Sequence, residues 1–450
     1  MFTLKEIKHV LKKKSNLGDA NIKIKGISID SRTIKKGELF IAIKGPNFDG
    51  HKFINTAIQK GATAIIISQQ TKSDPRGLIL VKDTTKVLGM IAEYHRQRFD
   101  VPVIAITGSA GKTTTKEMVA DVLSVRYRVL KNYKTENNQY GVPLTLLKLK
   151  SSHTMVVLEL GTSQKGDIAW LTQIVRPTVA IFTNIGASHL QGLKTLAGIF
   201  REKWGITKYM NHEGYIIFNR DDQYLRRIED KTIMAKRITY AIDASAEYKA
   251  SKITRTKNNQ LQFSMNRHVF TLKSPASHNI KNALTAISCG RLFKITYNEI
   301  ITRLSRFTFP DGRQSIQKWQ KGWLIDDTYN ANPISFNEAI QTLNNFNITG
   351  KKILVCGDMA ELGIQSQKYH QELGEHIART SIESVVAIGI EMQQTVKTIK
   401  NLNKNIQVFY YIKLSTLIQR LKQIINPMDV ILVKGSRCMG MEKVVDYLRN

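Results

Sequence analysis

The chain has 450 residues, 42% of them hydrophobic and 23% charged, with 67 Lys and Arg against 36 Asp and Glu and a formal net charge of +31. That length exceeds one hydrophobic core and predicts roughly two to four domains, with the composition of a soluble globular protein. No window approaches the ~18 apolar residues of a membrane span. Cys289, Cys356 and Cys438 are too scattered for a disulfide framework or a paired-cysteine zinc site.

Met1 to Lys14 alternates apolar and basic residues at helical spacing and lacks the apolar core of a signal peptide. A cytoplasmic location is expected. The net charge suits polyanions, but the basic residues are spread along the chain and not interleaved with aromatics. An anionic substrate on a general compositional bias fits this better than a nucleic-acid surface.

The first block, to about Phe99, predicts short strands over Ile22 to Ile29, Leu39 to Ile43, Ala64 to Ile67 and Leu78 to Val81. Helical stretches lie near Phe53–Ala57 and Val87–Arg96. At Val101 an apolar, β-branched run reads as a buried parallel strand that breaks at Gly108-Ser109-Ala110-Gly111. Lys112-Thr113-Thr114 then opens a helix. Strand, Gly-rich turn and helix in that order place backbone N–H groups at a helix N-terminus as an anion cradle. A Lys after the last Gly reaches terminal phosphates, and the next hydroxyl can ligate Mg²⁺. Ile106 stands where the usual spacing has Gly, so the loop is a compressed one.

Further strand–turn units follow to about Arg313. Glu159 ends the strand Met155 to Glu159, where a cation ligand near a phosphate loop would sit, or where a carboxylate could cap the next helix. His189 follows the strand Val179 to Thr183; alone it reads as a loop histidine, and Lys203 alone as a solvated helix lysine. Asn279 and Asn282 flank a helix start and read as caps or as polar contacts.

The third block alternates strand and helix. Strands are expected over Trp323 to Asp326, Lys352 to Cys356, Val385 to Ile388, Val408 to Tyr410 and Val430 to Val433. Helices are expected over Ser335 to Leu343, Gln367 to Ala378 and near Leu414 to Ile424. This alternation predicts a parallel, doubly wound sheet with its site at the strand C-terminal ends. Polar clusters follow three of the strands: Asp326 to Pro333, Gly357 to Gly363, and Lys434 to Arg437. No G-x-G-x-x-G is present, which argues against a dinucleotide site.

Together these motifs resemble the Mur ligase family, ATP-dependent amide-bond formers of bacterial cell-wall synthesis, over nearly the whole chain. The residues that carry the resemblance include Ser28 to Arg32, Phe48-Asp49-Gly50-His51, Thr107 to Thr113, Asn137-Asn138, Glu159-Leu160-Gly161, and the three clusters of the third block. The resemblance implies an α/β chain of three domains. These are a mixed α/β UDP-sugar domain over 1–99, a P-loop ATPase-like domain over 100–313, and a Rossmann-like doubly wound domain over 314–450. The implied reaction is ATP-dependent ligation of D-alanyl-D-alanine to UDP-N-acetylmuramoyl-tripeptide through an acyl phosphate.

Carried over position by position, Gly108, Ser109, Ala110, Gly111, Lys112, Thr113 and Thr114 would hold the phosphates of ATP. Asn282, Arg313 and Asp327 would grip the adenosine side. Thr113 would help hold one Mg²⁺; Glu159, His189 and a carbamylated Lys203 would hold a second. Lys112, His189 and Lys203 are the implied catalytic residues. Ser31, Arg32, Asn138, Tyr329, Asn330, Asn332, Lys434 and Ser436 are the implied substrate residues. A monomer without nucleic-acid partners is expected. Gln191 and Gly205 stand where the family usually carries Glu, which makes the metal surroundings less acidic. A single-amino-acid-adding or folylpolyglutamate ligase, a nucleic-acid-dependent NTPase, and a relative that binds nucleotide without catalysis are the alternatives.

Overall fold

A computed structural model describes residues 2–14, 17–45, 48–70, 77–256 and 258–450. Each of three successive stretches of chain is built on its own sheet.

The first sheet has four parallel strands in the order Gly26–Ser28, Glu38–Ile41, Ala64–Ile67 and Leu78–Leu80. The expected strand from Ile22 is interrupted: Lys23–Ile24 pairs instead with Phe2–Thr3, antiparallel. Thr3 and Glu6 form a capping box that starts the helix Leu4–Val10, as the spacing of Met1 to Lys14 predicts. The helix Thr84–Arg96 is capped by Asp83 but packs away from this sheet. His95 Nε2 lies 2.9 Å from Leu149 O, and a Cβ on Gly89 would meet Trp170. This helix is the seam between the first and middle units.

The middle sheet has seven parallel strands, ordered Val129–Lys131, Met155–Glu159, Val103–Thr107, Val179–Phe182, Tyr215–Asn219, Lys236–Ala241 and Tyr248–Lys249. The central strands are buried along their whole length, which is why they read as continuous apolar runs and not as alternating ones. A small antiparallel sheet, Ser251–Arg255, Leu261–Met265 and His268–Leu272, closes one side. The helix His278–Leu292 packs against Lys112–Leu123, the helix behind the phosphate loop.

The third sheet runs Ser315–Trp319, Gly322–Asp327, Val430–Lys434, Lys352–Gly357, Ser384–Ile388 and Gln407–Tyr411. All are parallel except the first, an antiparallel edge strand that the sequence reading did not anticipate. The expected helices are present as Pro333–Asn344, Ser366–Ala378 and Leu414–Leu421; Met392–Leu402 and Glu442–Arg449 are additional. The last strand inserts into the middle of the sheet, so the strand order reverses there. In open α/β sheets that reversal opens a crevice at the strand C-terminal ends. Among the described residues no helix is long and apolar enough to cross a membrane.

Candidate active site

The C-terminal strand ends of the middle and third sheets face each other across a cleft of about 680 Å³. Its floor is the phosphate loop. Gly108 (φ 153°) and Gly111 (φ 77°) hold conformations that a side chain would not allow. A Cβ on Gly108 would lie 1.8 Å from Thr183 Oγ1, and one on Gly111 2.8 Å from Asn282 Oδ1. The loop is braced from below. Ala110 N donates to Asn184 Oδ1 (2.8 Å), Thr183 Oγ1 to Ala110 O (2.6 Å), and Ser109 Oγ to Gly186 O (2.9 Å). The turn survives with two glycines because neighbouring side chains fix it.

Glu159 reaches the loop because its strand runs beside Val103–Thr107, in a register that pairs Glu159 with Ile106. Its carboxylate accepts from Thr113 Oγ1 (2.7 Å) and from Asn137 Nδ2 (2.7 Å). Asn132 brackets the same residue, accepting from Glu159 N and donating to Glu159 O. Lys116, fully buried on the phosphate-loop helix, donates to the carbonyls of Asn132 and Lys134 at 2.7 Å and holds that segment in place. Glu159 therefore serves the loop, and the cap reading falls. Asn279 and Asn282 are not caps either. Both lie inside their helix, where Asn282 Nδ2 donates to Asn279 Oδ1 and Asn282 Oδ1 accepts from Thr115 Oγ1.

The third unit, with Arg313 at its junction to the middle unit, supplies the roof. Arg313 Nη2 donates to Thr113 Oγ1 at 3.1 Å. Tyr329 stacks under the Arg313 guanidinium, 3.9 Å from its ring centre, and its hydroxyl donates to Thr135 Oγ1. Asn332 caps the helix Pro333–Asn344 through Ser335 and also donates to Ser109 O at 3.2 Å. Sheet register sets Asp327 beside Lys434, and the two form a buried ion pair of 2.6 Å. Lys434 also donates to Asn330 O, while Ser436 Oγ accepts from Ala360 N. These contacts knit the three polar clusters of the third block into one surface.

Lys112, Thr113, Thr114, Glu159, His189, Asn138, Asn282, Arg313 and the third-unit residues Asp327, Tyr329, Asn330, Asn332, Lys434 and Ser436 all line the cleft. Lys203 does not. It lies buried beneath the loop, with Nζ donating to Gly108 O at 2.9 Å. Burial first, and the Lys112 ammonium second, pull its pKa well below that of an ordinary lysine. Burial likewise lowers Lys112 and Arg313, with Glu159 opposing in both. Ser31 and Arg32 lie in the first unit, away from this cleft; Arg32 is exposed and paired to Asp30 at 2.7 Å.

His189 points its Nδ1 at Glu361 Oε2, 2.5 Å away, a close contact without the alignment of a hydrogen bond. The His189 ring beside Glu361 holds that carboxyl below the usual range. Among the described residues no three His, Cys, Asp or Glu side chains gather as a metal cage. The donor set that suits a hard cation is the Thr113 hydroxyl with the Glu159 carboxylate. His278 and Glu338, 3.9 Å apart across the cleft, escaped the sequence reading. Glu338 sits mid-helix and His278 at a helix start, and neither carries a local pattern that sets it apart.

A phosphate loop on one parallel sheet, roofed by the switch point of a second, defines a three-part nucleotide-dependent α/β enzyme. Residues 23–98 match the Mur ligase family catalytic domain, 106–290 the Mur ligase middle domain, and 312–437 the Mur ligase glutamate ligase domain. UDP-N-acetylmuramoyl-tripeptide–D-alanyl-D-alanine ligases of Buchnera aphidicola (subsp. Baizongia pistaciae) and Escherichia coli are similar to this chain. The first is 37% identical, over 95% of this chain and 93% of the relative; the second is 34% identical, over 99% and 98%. A crystal structure of MurF from Acinetobacter baumannii superposes with a TM-score of 0.91 at 28% identity, covering 100% of this chain and 99% of that one. MurF ligase from Thermotoga maritima in complex with ADP gives 0.84 at 28% identity, over 94% and 96%. The chain belongs to the Mur ligase family and is an ATP-dependent ligase.

Proposed function

We propose that this chain joins D-alanyl-D-alanine to a UDP-N-acetylmuramoyl tripeptide, giving the pentapeptide precursor of peptidoglycan, ADP and phosphate. The observation that carries the reading is the convergence of Lys112, Thr113 and Glu159 with Arg313, Asn332 and Lys434 over one cleft. The names of the full-length relatives add the substrates.

A carboxylate at neutral pH is a poor electrophile. Transfer of the γ-phosphoryl group of ATP to the tripeptide's terminal carboxylate oxygen makes an acyl phosphate. The amine of the dipeptide then attacks that carbonyl carbon and loses its proton, and the carbon–oxygen bond to phosphate breaks. Lys112 and the N–H groups of the loop hold the phosphates, and Arg313, expected on the adenosine side, donates instead to Thr113 at the phosphate end of the cleft. The Thr113 hydroxyl and Glu159 carboxylate would hold Mg²⁺, which when bound neutralises charge between phosphate and carboxylate. His189, through Nε2, and Lys203 are the remaining candidates for a second ion. Lys203 is drawn toward its neutral form, and the neutral amine is what adds carbon dioxide to become a carbamate.

Segments 1–99, 100–313 and 314–450 then act as the UDP-sugar, ATP and ligase units of a cytoplasmic monomer, with Ser31 and Arg32 meeting the sugar nucleotide. The test is phosphate release from Mg²⁺-ATP with UDP-muramoyl tripeptides, with and without D-Ala-D-Ala. Release that needs both, with pentapeptide seen by mass spectrometry and lost in Lys112→Ala, is the expected result. Nucleotide binding without dipeptide-dependent release would overturn the reading.

A further inference from the structure

Two segments meet at the rim of the cleft, Ser188–Leu193 from the middle unit and Met359–Gly363 from the third. Each presents a non-glycine residue in the left-handed region, His189 at φ 54° and Glu361 at φ 62°. Such conformations are unfavourable for a residue with a Cβ and persist where surrounding contacts enforce them. Here the two strained residues face each other. Glu361 Oε2 lies 2.5 Å from His189 Nδ1, and Gln191 N donates to Glu361 O at 3.1 Å. One side-chain contact and one backbone bond thus join the units at the same residue.

Glu361 is delivered on a fixed platform. Met359 N donates to Nε2 of the buried His370, whose Nδ1 lies 2.8 Å from Ser366 O. Ala360 N donates to Ser436 Oγ at 2.8 Å. His189 is equally constrained, because Gly192 N and Leu193 N both donate to its carbonyl. The carboxylate itself is half exposed, so little desolvation favours or opposes the contact. What the contact supplies is proximity: a negative carboxylate 2.5 Å from Nδ1 favours the ring proton on that nitrogen by its charge and leaves Nε2 as the ring nitrogen available to the cleft.

We propose that Glu361 is a positioning residue for the ligase reaction, seating the His189 imidazole only when the third unit docks on the middle one. Its backbone strain and its bond to Gln191 make the seat a property of the docked arrangement and not of either unit alone. The proposal rests on the ligase reading above.

The test compares Glu361→Ala and Glu361→Gln with the unsubstituted full-length protein. The readouts are kcat, the KM of each substrate, ADP affinity by calorimetry, and the ¹⁵N shifts of the His189 ring in protein labelled at histidine, assigned with His189→Gln. Partners of this kind are typically worth about 10–100-fold, so Glu361→Ala should lower kcat by about that factor. ADP affinity should stay within about twofold, since the contact touches no loop N–H group. The ring should show protonated Nδ1 in the unsubstituted protein and a tautomer mixture in Glu361→Ala. Glu361→Gln keeps a partly negative oxygen beside Nδ1 and should recover part of both. Unchanged kcat with unchanged ring shifts would overturn the proposal. A parallel fall in kcat, ADP affinity and melting temperature would also overturn it, by assigning Glu361 a merely structural role. If the unsubstituted protein does not ligate, the ring shifts still test the contact while the ligase reading alone fails.

Discussion

Glu338 offers a clean test of how burial sets charge in this cleft. It projects from the helix Pro333–Asn344 toward His278 of the middle unit, and burial pushes its carboxyl from 4.5 up to about 7. Lys281 and Lys434 oppose that shift. Both are already engaged, Lys434 with Asp327 at 2.6 Å and Lys281 with Asp221 at 3.4 Å. Burial also drives the facing His278 down to about 4, so no imidazolium compensates at neutral pH. The folded chain therefore holds the Glu338 proton up to about pH 7, whereas the unfolded chain releases it near 4.5. Stability tied to this group is present in full below pH 4.5 and is lost as pH rises through about 7.

Glu338→Gln keeps the shape of the protonated acid and removes the ionisation. At about 1.4 kcal/mol per pH unit, the full difference is bounded by about 3 kcal/mol. The side chain keeps 27% exposure, and that solvent contact reduces the expectation to about 1–2 kcal/mol. Urea unfolding followed by tryptophan fluorescence, at pH 5 and pH 8, measures it. The variant should gain that stability over the unsubstituted protein on going from pH 5 to pH 8. An equal offset at both pH values, or none at pH 8, would refute the reasoning.

Three other outcomes follow from the geometry. Lys203→Ala should lose ligase activity and regain part of it with a short carboxylic acid that refills the space; no rescue at any concentration would remove the carbamate. Lys434→Met leaves Asp327 buried without its cation, a loss of about 3–5 kcal/mol, and adding Asp327→Asn should recover most of it. Urea midpoints of the two single variants and the double variant decide this, and a strictly additive double would refute the pairing. Gly108→Ala would drive a methyl into Thr183 Oγ1 from a backbone at φ 153°. ADP affinity measured by calorimetry should fall by at least about tenfold, and a Kd within twofold would sink the account of the compressed loop.

The phosphate loop was legible in the sequence because its chemistry is local: a buried strand, two glycines, a lysine and a hydroxyl within a dozen residues. The strand-end clusters of the third block were legible for the same reason, since polar turns after apolar strands mark the open edge of a parallel sheet. Local pattern also placed Glu159 at a strand end. That Glu159 takes its two hydrogen bonds from Thr113 and Asn137 depends on strand register and on Lys116 anchoring a distant segment.

Only the tertiary structure decided the rest. The last strand, Val430–Lys434, inserts at the centre of its sheet, and this alone sets Lys434 beside Asp327. The helix Thr84–Arg96 packs on the middle unit, although its sequence neighbours belong to the first sheet. Lys203 reads as a solvated helix lysine until the fold buries it under Gly108. Glu338 with His278, and Glu361 with His189, each join residues from different units. No periodicity encodes such pairs, because helix and strand patterns report which face of one element is apolar, not which elements meet. The sequence by itself determined the reaction centre's parts; the docking of two sheets with their strand C-terminal ends facing each other determined which of them touch.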